Sequence, residues 1–342
     1  MSICPCGGIR FWLRSPCGAD VCWSDQVDAL ELARRFGLGG RARLSDGPVA
    51  RGKQGVVWRL ETADEAWAVK VPFEATTEDE VRSATVFQEA AFDAGVPTPQ
   101  VRRTVEGSVF ATVDDRQARL YGWVDLRAPD PCLDPALVGS VVAAIHQVPV
   151  TDLGSLGLLD PWSHEPVGAA RWDKLVDQLL EAGAPFAARL GALRDELVAL
   201  EEWIEPPEGL RPCHRDLWAD NLLGTEDRGV CVIDWENSGP GDPSHELGCV
   251  LFEFGRSDPG RARALTDAYG EAGGPGRVSR HGHFSMLIAQ LGHITEIAAS
   301  DWLRPNTRSP DRADSAAWVS EVLDEPHTRE LLESLLAAVR TP

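Results

Sequence analysis

Two hydrophobic rhythms divide this chain. In residues 55–60 and 66–71 apolar positions recur every second residue, the period of a half-buried strand, with 62–65 as the turn between them. Residues 109–113 and 118–124 form a second such pair around Asp114-Asp115. Helical spacing flanks these strands. Residues 25–38 carry the stripe Ala29, Leu30, Leu32, Ala33 and Phe36, with Ser24 or Asp25 as cap, and residues 77–94 form a helix closed by Pro97 and Pro99. Beyond Trp123 a Pro- and Asp-rich stretch, 126–135, reads as a linker. Helical periodicity then dominates: 135–147, 168–182, 185–204, 261–272, 284–300, 313–323 and 328–340. One β-rich segment, 211–235, interrupts it, with a hairpin of Leu222-Leu223 and 230–233. The pattern predicts an α+β fold of two lobes: a small β-rich lobe over 25–124 and a larger, mainly helical lobe over 125–342, preceded by an extension over 1–24.

Composition narrows the class. Of 342 residues 43% are hydrophobic, enough for a sizeable core. No stretch reaches the roughly 20 uninterrupted apolar residues of a membrane span. The formal charge of -20, from 53 acidic and 33 basic residues, disfavours nucleic acid and anionic membranes as partners and suits a cationic small molecule. Of the eight cysteines, Cys132, Cys213, Cys231 and Cys249 lie in or beside apolar segments and read as reduced core residues. Cys4, Cys6, Cys17 and Cys22 have no zinc-type spacing and no accompanying His. Pro5, Gly7, Gly8, Arg10 and Arg14 break up any signal-peptide core, so a cytoplasmic location is expected.

The chemistry concentrates in 212–235. Asp216 follows His214-Arg215 on a loop, Asn221 stands five residues on, and Asp234 ends the apolar run 230–233. A loop carboxylate can orient a hydroxyl and take its proton, while an amide oxygen and a second carboxylate are hard ligands suited to Mg²⁺. The hairpin brings Asn221 and Asp234 to the same end. Taken singly, each residue is equally a turn cap or a strand end; the full set at this spacing points to phosphoryl transfer. Upstream, Lys70 sits in an alternating apolar strand, where an inward lysine is costly unless paired. Gly52 and Gly55, in Arg51-Gly52-Lys53-Gln54-Gly55, would let backbone N–H groups approach phosphates, although a hairpin turn asks for the same residues.

These motifs resemble the aminoglycoside phosphotransferase, or small-molecule kinase, family of the protein-kinase-like fold, over roughly residues 40–300. The segment 213–243 carries the likeness: His214-Arg215-Asp216, Asn221, then Asp234-Trp235-Glu236 leading into Gly241-Asp242-Pro243. Trp218 stands where protein-serine kinases place a lysine, and neither Asp-Phe-Gly nor Ala-Pro-Glu occurs, which argues against protein substrates. The resemblance implies Asp216 as catalytic base, Asn221 and Asp234 as Mg²⁺ ligands, and Lys70 as the phosphate-binding lysine. It makes Glu89 the partner of Lys70, with Glu80 as rival. It also places the nucleotide, ATP or GTP, under Gly52 and Gly55 and against the connector at Trp123. Asp242 is expected to bond the catalytic loop's backbone or His214, and His146 to serve packing. Glu236, Asp242, Glu246, Glu253, Glu296 and Asp301 are expected to frame the substrate, Glu236 as a contact.

The expected function is ATP-dependent O-phosphorylation of a small, cationic, hydroxylated molecule, first an aminoglycoside-type antibiotic, hence resistance. The alternatives are a metabolic kinase of the same fold, acting on choline, a sugar or a homoserine-like alcohol, and a non-catalytic kinase-like binding module. The sequence sets no oligomeric state.

Overall fold

The computed structural model describes residues 28–52, 55–150, 159–304 and 309–340. The cysteine-rich opening, the caps Ser24 and Asp25, and Lys53-Gln54 of the glycine loop lie outside them. The chain enters through α1 (Ala29–Arg35), whose start is set by Asp28: its carboxylate accepts from Leu30 N. Then come β1 (Ala42–Leu44), β2 (Ala50–Arg51), β3 (Gly55–Thr62) and β4 (Ala66–Pro72), α2 (Glu78–Asp93), and β5 (Val101–Arg102), β6 (Ala111–Val113) and β7 (Arg116–Gly122). The strands form one antiparallel sheet in the order β1-β3-β4-β7-β5, with β2 on β3 and β6 on β7.

Alternation decides what each sheet face does. Along β4, Trp67, Val69 and Val71 are buried, and they join Trp58, Leu60, Leu120, Leu32 and Phe36 in a core on the α1 side. Ala66, Ala68 and Lys70 therefore occupy the other face. Helix α2 begins with a reciprocal cap between Thr77 and Glu80, which commits Glu80 to the helix terminus. Its Phe87 and Ala91 pack into the core of the helical half, Phe87 meeting Trp235 edge-on at 5.1 Å.

The second half runs α3 (Pro135–His146), α4 (Ala169–Glu181), α5 (Ala187–Glu201), β8 (Arg211–Cys213), β9 (Leu222–Gly224), β10 (Val230–Val232), β11 (Gly239–Gly241), α6 (Pro243–Gly255), α7 (Pro259–Glu271), α8 (Ser285–Leu303), α9 (Ser309–Asp324) and α10 (Arg329–Arg340). Strands β9 and β10 form the expected hairpin, Leu222 opposite Val232, and β11 closes back on β8, Gly239 opposite Cys213. These two short ladders hold the chain on either side of Asp216 and Asp234. Helix α6 has no counterpart in the hydrophobic pattern, because almost all of it is buried and no amphipathic stripe exists to be seen. Gly248 permits that depth, since a Cβ there would lie 2.3 Å from the His283 carbonyl oxygen.

Cys213, Cys231 and Cys249 are buried free thiols as expected. Cys132 is not: it is partly buried and disulfide-bonded. Among the described residues no helix is long and apolar enough to cross a membrane.

Candidate active site

The loop between β8 and β9 is built to present one carboxylate. Arg215 takes a positive φ of 63°, which turns the chain sharply out of β8. The loop closes again where Asn221 N and Leu222 N both donate to Trp218 O at 2.9 and 3.0 Å. Asp216 Oδ2 accepts from Asn221 Nδ2 at 3.0 Å and from Asn237 Nδ2 at 3.1 Å. Among the described residues no donor reaches Oδ1. Burial pushes the Asp216 carboxyl up to about 6, against the pull of the two amides.

His214 ties this loop to the one carrying Asp234. Its Nε2 donates to Ile233 O at 3.0 Å, and burial holds the ring neutral, pushed down to about 4. Ile233 N returns a bond to Asn221 O at 2.9 Å. Directly after, Asp234 adopts the left-handed conformation, φ 62° and ψ 60°. Such a conformation costs a non-glycine residue on the order of 1 kcal/mol or more. Here it swings the carboxylate off the hairpin and onto the sheet's polar face. Lys70 Nζ meets Asp234 Oδ1 and Glu236 Oε1, each at 2.6 Å. Arg119, cross-strand from Lys70, reaches the same Glu236 oxygen at 3.1 Å and Thr85 Oγ1 at 2.9 Å. Burial alone would discharge Lys70, but Glu236 and Asp234 hold its pKa above the ordinary lysine range. Burial likewise opposes the Glu236 charge, yet Lys70 and then Arg119 keep it below the usual carboxylate range.

Two buried glutamates of α6 brace the loop. Glu246 accepts from His214 N at 3.2 Å and from Arg215 N, and His146 Nε2 bonds it at 2.6 Å. Glu253 accepts from Ala219 N at 3.3 Å. His146 and Glu246 lie close to Cys213, but the other His146 nitrogen is occupied by Tyr269 Oη at 2.8 Å, so this is a hydrogen-bonded chain.

A family model, described as the phosphotransferase enzyme family, matches residues 48–281, about two thirds of the chain. The chain belongs to this phosphotransferase family. Its fold is similar to that of a spectinomycin phosphotransferase crystallised with ADP and spectinomycin, at TM-score 0.64 and 14% identity over 90% of this chain and 97% of the other. A microcompartment-associated aminopropanol kinase gives TM-score 0.55 and 16% identity over 92% and 98% of the two chains. Protein LicA of Haemophilus influenzae is 46% identical over 44 residues, a stretch covering 13% of this chain and 16% of LicA.

Against this phosphotransferase frame the structure sorts the sequence-based expectations. It brings Lys70, Asp216, Asn221 and Asp234 together. It does not pair Lys70 with Glu89: both Glu89 oxygens face Arg103, at 2.6 and 2.9 Å. Glu236, expected as a substrate contact, faces Lys70 and Arg119. Asp242 caps α6 through Ser244 N and accepts from Glu208 N, so Glu246 holds the loop in its stead. The acids expected to frame the substrate have other partners as well. Glu296 pairs with Arg171 and Asp301 with Arg304. Gly55 is required by close pairing, because a Cβ would lie 2.4 Å from Val71 O, whereas Gly52 has open space around it. The Trp123 indole donates to Asp125 at 2.8 Å, and Arg59 lies 4.8 Å over its ring. Sequence reasoning missed Arg119, Asn237 and the bracing roles of Glu246 and Glu253. Arg119 alone left a signal, an inward arginine in an alternating strand.

The Asn221–Asp234 pair fits a hard divalent ion. Asn221 spends its amide nitrogen on Asp216, which leaves the carbonyl oxygen for a cation, and the Asp234 side chain is 42% exposed beside Lys70.

Proposed function

We propose that this phosphotransferase moves the terminal phosphoryl group of ATP, or GTP, onto a hydroxyl of a small molecule, with an aminoglycoside-type antibiotic as first candidate and resistance in the cytoplasm as its use. The observation that carries the reading is the convergence of Lys70, Asp216, Asn221 and Asp234, with no donor on Asp216 Oδ1 among the described residues.

Mg²⁺, held by Asn221 and Asp234, would neutralise charge on the phosphates. Lys70 binds the nucleotide phosphates. Glu236, anchored from the other side by Arg119, keeps the ammonium in place when Asp234 is shared with the metal. Gly52 and Gly55 border the phosphates, and Trp123 lies at the connector beside the base. Asp216 Oδ1 accepts the acceptor's O–H, and Asn221 and Asn237 fix the carboxylate's orientation. As the acceptor oxygen bonds to phosphorus, the bond to the bridging oxygen breaks, the nucleoside diphosphate leaves, and the acceptor proton passes to Asp216.

Support for a cationic acceptor comes from the charge of -20 and from the fold's likeness to the spectinomycin enzyme. A second reading, a metabolic kinase for a small alcohol, is supported by the likeness to the aminopropanol kinase. ADP release measured against aminoglycosides, spectinomycin, aminopropanol, choline and sugars separates the two. Turnover with a cationic antibiotic is the expected result. Turnover confined to amino alcohols or sugars installs the second reading, and no turnover with any acceptor removes both.

A further inference from the structure

A cavity of about 770 Å³ shares no residue with the phosphotransfer site. It opens between residues 147–150 after α3, the stretch 208–212 entering β8, the start of α6, and segment 275–283. Three arginines line it, Arg211, Arg277 and Arg280, against two acids, Glu208 and Asp242. Both acids are already engaged. Asp242 accepts from Ser244 N and Glu208 N, each at 2.8 Å. Arg280 is held by Glu205 at 2.7 Å and lies 3.7 Å from Glu208.

Arg211 and Arg277 differ. Both are exposed, and among the described residues neither guanidinium has a hydrogen-bond or ion-pair partner. They differ in this from Arg280 in the same cavity, and from Arg103, Arg171, Arg194 and Arg329, each of which faces a carboxylate. Two cations without acids, lining one cavity with Val148 and Leu210 among its apolar residues, have the charge and the hydrogen-bond donors that a tetrahedral oxyanion asks for. We propose that this cavity binds a phosphate or phosphomonoester between Arg211 and Arg277. The position bears on catalysis. Arg211 opens β8, which runs into His214 and Asp216, and Arg211 lies opposite Gly241 in the ladder just before α6 and its two bracing glutamates.

The test is calorimetric titration of inorganic phosphate, and separately of phenyl phosphate, into the full chain and two variants. Lys70→Ala removes the cation through which phosphate would enter the nucleotide cleft, so binding should survive it. Arg211→Ala with Arg277→Ala should weaken binding at least tenfold while the thermal midpoint stays within about two degrees of wild type. Tighter binding of phenyl phosphate identifies a monoester as the ligand, and equal binding identifies free phosphate. No binding by the wild type, unchanged affinity in the double variant, or loss in Lys70→Ala alone overturns the site. None of these outcomes depends on the acceptor substrate.

Discussion

Glu246 and Glu253 stand seven residues apart on α6, at 1% and 2% exposure, and hold opposite flanks of the same loop. Their environments differ sharply. At the first flank every partner is supplied. Glu246 receives two loop N–H groups and His146, and Tyr269, bonded to His146, accepts from Gly276 N at 2.8 Å. Burial works against the Glu246 charge, but His146 and the loop donors hold it below its ordinary range. At the second flank Glu253 has one donor among the described residues, and none of them reaches its Oε2. Burial pushes its carboxyl up to about 7, with Arg256 and Ala219 N only partly offsetting. Neighbouring Asp220 has no hydrogen-bond partner on either oxygen among the described residues. Residue type, helix and burial are the same, so the supply of donors and the nearby charges set the two carboxyls apart. The first flank is held by more hydrogen bonds than the second.

Both flanks serve Asp216, so its removal should have the largest effect. Asp216→Ala should cut kcat by ~10³-fold with nucleotide binding retained; a loss under tenfold, read in steady-state kinetics, would remove it as the base. Next, the braces should differ in stability. Glu246→Ala strands His146 and two loop N–H groups and should cost about 3–5 kcal/mol in urea unfolding. Glu253→Gln keeps an acceptor for Ala219 N and should cost little near pH 7. Equal losses would show that the flanks are alike. The third prediction concerns pH. Glu253 titrates near 7 in the fold and near 4.3 unfolded, so between those values the folded chain holds the extra proton. The Glu253 contribution to stability should therefore fall as pH rises from 5 to 7, by up to about 3 kcal/mol. It is read as the wild-type stability minus that of Glu253→Gln at each pH, and a difference that does not change with pH would remove Glu253 as the titrating group. Smallest is the contrast between the two acids proposed for Lys70. Glu236→Gln should raise the nucleotide KM about tenfold, a loss near 1.4 kcal/mol, and Glu89→Gln less than twofold. The reverse order would restore Glu89 as the partner.

Much of this site was open to reading because it is local. Asp216 and Asn221 share one turn, and Asn221 and Asp234 flank one hairpin, so spacing along the chain fixes their separation. Strand alternation likewise put Lys70 on the face opposite Val69 and Val71. Helix α6 escaped because burial on all sides erases the period that marks a helix. The partner of Lys70 escaped for a different reason. Glu80, Glu89 and Glu236 are equivalent carboxylates in the sequence, and helix α2 carries two of them. Packing spent Glu80 on the cap, turned Glu89 to Arg103, and delivered Glu236 from 166 residues away to 2.6 Å. Sequence alone thus determined the fold class, the reaction family and the residues sharing a turn or a strand face, since periodicity and short spacing act through the backbone. Only tertiary structure decided which charges pair and which stay bare. Ion pairing weakens with distance and with exposure to water, and both are set only once the helices have packed.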